Sequence, residues 1–146
     1  MAGHIPWRKV DRWLQAHRSI WLATTRPDGR PHAAPVWYVW DEAGKRLYFL
    51  TGRATQKGRN LARQPWVVAH LLDGDDTLIL EGPAAVVTDP DERARVAAAY
   101  AEKYVDPHSG VRATLDNPDD DLWRVDVRRV MAWEYGVVAT RTDWRF

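Results

Sequence analysis

Residues 47–60 read LYFLTGRATQKGRN, and the chain is best understood outward from this stretch. Leu47 to Leu50 is a β-prone run, Gly52 breaks it, and Thr55 offers an N-cap hydroxyl for a helix through Asn60 to about Gln64, stopped by Pro65. From Ala43 to Leu72 there is no Asp or Glu, yet the window carries Lys45, Arg46, Arg53, Lys57, Arg59 and Arg63, with acids crowding both flanks. Helix starts ordinarily favour acids, because their exposed amides carry roughly half a positive charge. Cations gathered there cost about 0.3–1 kcal/mol each unless an anion sits among them. The stretch therefore reads as a phosphate site. A solvated basic face is the alternative, since most charge runs are just that; the position at a helix start favours the anion.

At 146 residues the chain fits a single domain spanning residues 1–146, large enough for a real core. A formal charge of +1 leaves no global field for nucleic acid, so no nucleic-acid partner is expected. The absence of cysteine removes disulfides, thiolate nucleophiles and thiolate metal sites, and suits a reducing cytoplasm. Met1 to Lys9 lacks the apolar core of a signal peptide, and no apolar run nears the ~20 residues of a membrane span. A soluble, cytoplasmic protein without membrane contact is expected. His4, His17, His32, His70 and His108 lack the paired spacing of a metal site, so no metal is expected, and His70 in its apolar strand reads as a core histidine. Neither Ser19 nor Ser109 sits in a nucleophile elbow, and no P-loop or GxGxxG is present. Nine tryptophans suit core and subunit contacts, or the walls of a pocket for a flat ligand.

Outward from the basic helix, the pattern is mainly β. Pro6 opens a short helix with Trp7, Val10, Trp13, Leu14 and His17 on one face. Ile20 to Thr25, the turn at Pro27, Asp28 and Gly29, and Pro31 to Trp40 read as a β-hairpin. Arg46 to Thr51 leads into the basic helix; Trp66 to Leu72 and Thr77 to Val87 follow as strands, with Gly82 and Pro83 marking a bend. Asp89 and Pro90 open a helix whose buried stripe is Val96, Ala97, Tyr100 and Tyr104. Asp106 to Asp121 reads as a mobile loop, and Leu122 to Val127 and Val130 to Tyr135 as the last two strands. Six or so antiparallel strands with short helices between them predict a small barrel. Trp37 and Tyr38 would then flank a ring attached to the phosphate.

The segments SIWLATTRPDGRPHAAPVWYVW, LYFLTGRATQKGRNLARQPWVVAHL and TLILEGPAAVVTD, from Ser19 to about Asp91, resemble the pyridoxamine 5'-phosphate oxidase-like superfamily of flavin-binding split barrels in order and spacing. The family's phosphate motif, a Thr ending strand three and then Ser or Thr and Lys at the next helix start, is matched by Thr51, Thr55 and Lys57, with Asn60 and Leu61 continuing the helix. The resemblance implies a six-stranded antiparallel split β-barrel acting as a homodimer, with cofactors at the subunit interface. It places the phosphate on Arg53, Thr55 and Lys57, beside Leu50, Thr51, Gln56 and Asn60, and the flat ring against Pro35, Val36 and Trp37. Gln56 stands where the family has an Arg, while an Arg appears at Arg53. Pyridoxamine phosphate oxidases proper carry an Arg on strand two near Ala33 or Ala34 and end in Arg-Leu-x-Pro; this chain has neither, so it is not expected to oxidise that vitamer. The likeness leans to the short members that use the deazaflavin coenzyme F-420 in place of FMN, whose polyglutamyl tail would suit Arg59 and Arg63. The implied activity is hydride transfer between the bound flavin or deazaflavin and an unsaturated small molecule. A non-catalytic protein that sequesters flavin or haem is the alternative. No catalytic residue is assigned; Tyr38, His32 and His70 are candidates for a proton donor.

Overall fold

The computed structural model describes residues 4–135 and 137–146, with residues 137–139 described by their backbone alone. The element order is α1 (Trp7–Ala16), β1 (Ser19–Thr25), β2 (Pro31–Trp37), β3 (Val39–Asp41), β4 (Arg46–Gly52), α2 (Gln56–Arg63), β5 (Trp66–Leu71), β6 (Thr77–Val86), α3 (Pro90–Lys103), β7 (Asp120–Asp126), β8 (Arg129–Glu134) and β9 (Val137–Arg145). All strand pairs are antiparallel, and together they form a curled half-barrel. The described residues form nine strands where the sequence marked seven segments and a six-stranded barrel was expected: the second hairpin strand breaks at Tyr38 into β2 and β3, and β9 adds a partner for β8. No helix among the described residues is long and apolar enough to cross a membrane.

The curl has a local cause in β6. Its first half, Thr77 to Glu81, pairs with β8, whereas Ala84 to Val86 pair with β7. The change of partner falls at Gly82 and Pro83, the predicted bend. A Cβ on Gly82 would collide with the Asp126 carbonyl, so only glycine lets the end of β7 cross there. Inside the curl lies the main core, with Leu14, Ile20, Leu22, Tyr38, Phe49, Leu61, Leu78 and Leu80 almost wholly removed from solvent. A second cluster under α3 joins Tyr48, Val96, Tyr100, Tyr104, Leu115 and Leu122.

Helix α3 has the anticipated start: Asp89 accepts the Asp91 amide at 3.1 Å and Pro90 follows. Its inner face also buries a carboxylate, which the apolar stripe did not announce. Glu92 accepts from the Tyr48 hydroxyl at 2.7 Å and from Arg124 Nη1 at 2.8 Å, with Arg46 Nη1 3.4 Å away. Burial pushes its carboxyl up, but the Tyr48 hydroxyl and the two guanidinium groups outweigh that and hold it below the usual range. The segment from Asp106 to Asp121, expected to be mobile, is tied down by backbone and side-chain bonds. Asp106 accepts the His108 and Ser109 amides at 2.8 Å, Val105 bridges Arg112, Leu115 is buried, and Arg93 donates to the Leu115 carbonyl.

The buried tyrosines set an alkaline limit. Burial raises Tyr38, Tyr48, Tyr100 and Tyr104, with Tyr48 and Tyr104 moved to about 12. In the unfolded chain a tyrosine ionises near pH 10, so above that value the unfolded state binds fewer protons and stability falls, by about 1.4 kcal/mol per pH unit for each tyrosine. Lys103, which burial lowers to about 8, has the opposite sign between about 8 and 10.5. Urea denaturation between pH 8 and 12 should therefore show little loss up to pH 10 and a steep, multi-proton fall above it; a flat profile would contradict this account.

Candidate functional site

The end of β4 and the start of α2 are joined by a turn that uses almost every polar group it has. Thr55 Oγ1 accepts the Gly58 amide at 3.1 Å as the helix cap and donates to the Gly52 carbonyl at 2.7 Å, while Thr51 Oγ1 lies 3.0 Å from it. The helix packs against the turn so closely that a Cβ on Gly58 would collide with the Gly52 carbonyl. Beneath it, the fully buried Asn60 donates to Thr24 Oγ1 at 2.9 Å and accepts from Gln56 Nε2 at 2.7 Å, which locks α2 to β1. The Gln56 and Lys57 amides have no hydrogen-bond partner among the described residues, as expected of a helix start. The Lys57 ammonium has no acid within salt-bridge distance among them either.

These groups open on a cleft of about 390 Å³. Pro35, Val36 and Trp37 form one wall, Leu50, Thr51, Gly52, Thr55 and Lys57 the floor, and Tyr100, Ala113, Thr114 and Asp120 the far side. Seven of the residues predicted from sequence thus line one cavity. Arg53 and Gln56 face a neighbouring groove instead, and Asn60 lies under both. Arg53 Nη1 is held by Asp121 Oδ1 at 2.8 Å and its other nitrogen by the Pro118 carbonyl. That groove, about 830 Å³, runs past Arg53, Arg59 and Arg63 and over Trp123, whose buried indole N–H has no partner. A further cavity of about 640 Å³ at the β8–β9 hairpin, lined by Met131, Trp133 and Arg141, has no helix start and lies on the branch of the sheet that pairs with β6.

The Trp37 wall is rigid. Its ring stacks on Tyr104 at 4.6 Å with the planes 2° apart, and the Arg18 guanidinium sits 4.6 Å from its centroid. Tyr38, expected beside Trp37 at the ring, points the other way: it is wholly buried and its hydroxyl donates to the Leu14 carbonyl at 2.6 Å, so it has no access to the cleft. His70, expected in the core, is half-buried beside Trp21 on the outward face of β5, and His32 has a buried Nδ1 with no partner; neither lines the cleft. Sequence reasoning missed Tyr100, Ala113, Thr114 and Asp120. Tyr100 was legible as part of a buried stripe; the other three carry no local signal, because the Gly52–Asp120 pairing brings in Asp120 and the Ala113 amide's bond to the Tyr104 carbonyl brings in Ala113 and Thr114.

Residues 7–134 match the profile of the family described as Pyridoxamine 5'-phosphate oxidase. The chain belongs to this family. This family member is similar to the F-420H(2)-dependent biliverdin reductase of Mycobacterium tuberculosis, with 31% identity over 119 residues that make up 82% of each chain. Among solved structures it resembles a conserved hypothetical protein of Mycobacterium tuberculosis, at a TM-score of 0.73 and 26% identity over 92% of this chain and 88% of that one. It also shares its fold with a haem-binding protein of Mycobacterium smegmatis, at a TM-score of 0.75 and 22% identity, covering 98% of this chain but 59% of that one.

Because Gly58 is the contact point of helix and turn, Gly58→Ala should push α2 off the Gly52–Arg53 backbone. We expect a loss of about 1–3 kcal/mol in urea unfolding, the scale of an overpacked core site. An unchanged midpoint would show that the turn yields freely.

Proposed function

We propose that this family member is a flavin- or deazaflavin-dependent oxidoreductase that passes hydride between the bound cofactor and an unsaturated small molecule. The observation that carries the reading is the cleft: two unpartnered helix-start amides and an unpaired Lys57 at one end, and a stacked indole wall at the other. These donors fit a phosphoryl group, and the Trp37 wall fits a planar ring. The ring system supplies the hydride chemistry when bound. The chain's own residues bind and orient: Thr55 and Lys57 hold the phosphoryl end, and Pro35, Val36 and Trp37 limit where the ring can lie and shield one side from water. The basic groove beyond the phosphate position, with Arg53, Arg59 and Arg63, favours a cofactor with an anionic extension, as the deazaflavin coenzyme has. The 31% identity to a reductase of that type supports the same choice.

Lys57→Ala should weaken cofactor binding by about 1.5–3 kcal/mol, the scale of a charge-assisted hydrogen bond. Titration of both proteins with FMN and with reduced deazaflavin coenzyme, followed by absorbance, measures it; equal affinities would remove the site. Oxidation of the reduced cofactor on adding biliverdin, quinones or enones would then separate an enzyme from a sequestering protein, which binds without substrate-dependent turnover.

A homodimer is part of the same proposal. The ladder sets Pro35, Trp21, His70, Ile79 and Met131 in one row across the outward face of the sheet. Trp21, Trp37 and Trp66 on that face are each about half exposed, at 48%, 47% and 51%. A continuous apolar face bordering the cleft suits a self-complementary two-fold contact. Light scattering should give twice the chain mass, and Trp21→Glu should give the monomer with weakened cofactor binding; a monomeric wild type would refute the arrangement.

A further inference from the structure

We propose that Lys103 is a site of covalent modification: its side-chain amine takes a short acyl group from an acyl thioester and carries it in the groove between α1, β3 and α3. This groove shares no lining residue with the cofactor cleft.

The chain has four lysines, Lys9, Lys45, Lys57 and Lys103. An amine attacks a carbonyl carbon only in its neutral form, so the surroundings of each ammonium decide which of them reacts. Lys9 pairs with Glu134, and Lys45 with Glu42 at 2.8 Å; in both, the carboxylate favours the charged form. Lys57 has no acid partner but stands among the polar groups of the open cleft. Lys103 differs from all three. Its Nζ lies 3.7 Å from the Tyr38 ring centroid and 5.4 Å from that of Tyr104, and it donates to the Tyr38 carbonyl at 3.1 Å. Among the described residues no carboxylate lies within salt-bridge distance of it. The charged groups around it are few. Glu102 is exposed on the groove's rim, the Arg18 guanidinium lies 5.4 Å from the Tyr104 centroid, and Asp11 on α1 is taken by the Trp40 indole N–H at 3.1 Å. The ring faces attract the ammonium; burial acts against it and lowers Lys103 to about 8.

The same amine borders a place for an acyl chain. The groove, about 310 Å³, is walled by Val39, Trp40 and Ala99, and Gln15 at its side is held by the Trp40 carbonyl at 3.4 Å. A neutral amine keeps one N–H on the Tyr38 carbonyl and has its lone pair left for the reaction. Nitrogen adds to the thioester carbonyl carbon, the N–C bond forms and the C–S bond breaks. The sulfur leaves and takes up the proton that nitrogen loses, so the products are an amide and a free thiol. The amide retains a single N–H, enough for the bond to the Tyr38 carbonyl, while the charge that burial penalises is gone. The split between β2 and β3 therefore survives the modification. An acyl phosphate suits the groove less. Among the described residues, Glu102 and Lys103 are the charged side chains that line it, and a carboxylate repels a phosphate.

Incubating the full chain with S-acetyl-N-acetylcysteamine, an uncharged thioester, tests the proposal. After quenching, the protein is denatured and its remaining amines are capped with deuterated acetic anhydride, so that the ratio of light to heavy label on each peptide gives the occupancy of each lysine by mass spectrometry. At pH 8 an ordinary lysine is about 0.4% neutral, whereas an amine with a pKa near 8 is about half neutral; the slower attack of a less basic nucleophile cuts that advantage to about tenfold. Lys103 should therefore react about tenfold faster than each of the other three. Its rate should level off above about pH 8.5 while theirs climb on, and in concentrated guanidinium chloride all four should react alike. A lead of less than about threefold over any of them, a lead that persists in the unfolded chain, or a rate that rises in step with the others up to pH 10 overturns the assignment. Acetyl phosphate in place of the thioester should give Lys103 a smaller lead; an equal or larger one overturns the choice of donor.

Discussion

Where β2 breaks into β3, three backbone polar groups lose their ladder partners, and α3 takes all of them. Tyr100 Oη donates to the Trp37 carbonyl at 3.1 Å, and Tyr104 Oη accepts the Tyr38 amide at 2.8 Å. The Tyr38 carbonyl accepts from Lys103 at 3.1 Å and lies 2.7 Å from Tyr104 Oη. Unpaired, each of these buried groups would cost about 1–3 kcal/mol. Their capture lets the sheet split at this point instead of closing, and the split is what opens the cleft. The same helix fixes the cleft's wall, since the Tyr104 ring that bonds the Tyr38 backbone also stacks under Trp37.

This dependence explains why so much polarity is buried beneath α3. A helix that must deliver hydroxyls to fixed backbone atoms cannot rest on a purely apolar face, which would let it slide. Glu92, bonded to Tyr48 and Arg124, anchors the first turn of α3, and the two tyrosines and Lys103 anchor the last. Replacing such a network by apolar groups often stabilises a fold, so its use here is one of register: it sets where along the sheet the helix stops. Asn60 plays the corresponding part for α2, joining Thr24 on β1 and Gln56 on its own helix.

What could be read from the sequence follows the range of the forces involved. The hairpin, the basic helix with its Thr55 cap, the Gly82–Pro83 bend and the Asp89–Pro90 start are set by residues a few positions apart, and the structure has them within a residue or two of the expected places. The break at Tyr38 has no glycine or proline to mark it, because its cause sits more than sixty residues away in α3. The β9 strand was missed because its second half, from Thr140 to Arg145, alternates charged and neutral residues without the apolar run that marked the other strands. At the site, sequence grouped Arg53 with Lys57 as one anion-binding cluster. The structure separates them, because Asp121, a neighbour only through the β4–β7 ladder, holds Arg53 on the other side of the turn.

That separation changes what the turn can recognise. Two guanidinium or ammonium groups converging on one point would attract any phosphate, and the more strongly the higher its charge. With Arg53 drawn out by Asp121 and Asp120 facing in, the turn divides its charge instead. One side offers a helix start, a lysine and a carboxylate, a weakly positive pocket; the other offers three arginines along a groove. The division is made by two consecutive acids, Asp120 and Asp121, which project to opposite faces because successive residues of a strand do. A shift of one residue in the β4–β7 register would exchange their roles, so the ladder that closes the fold also fixes the polarity of the site.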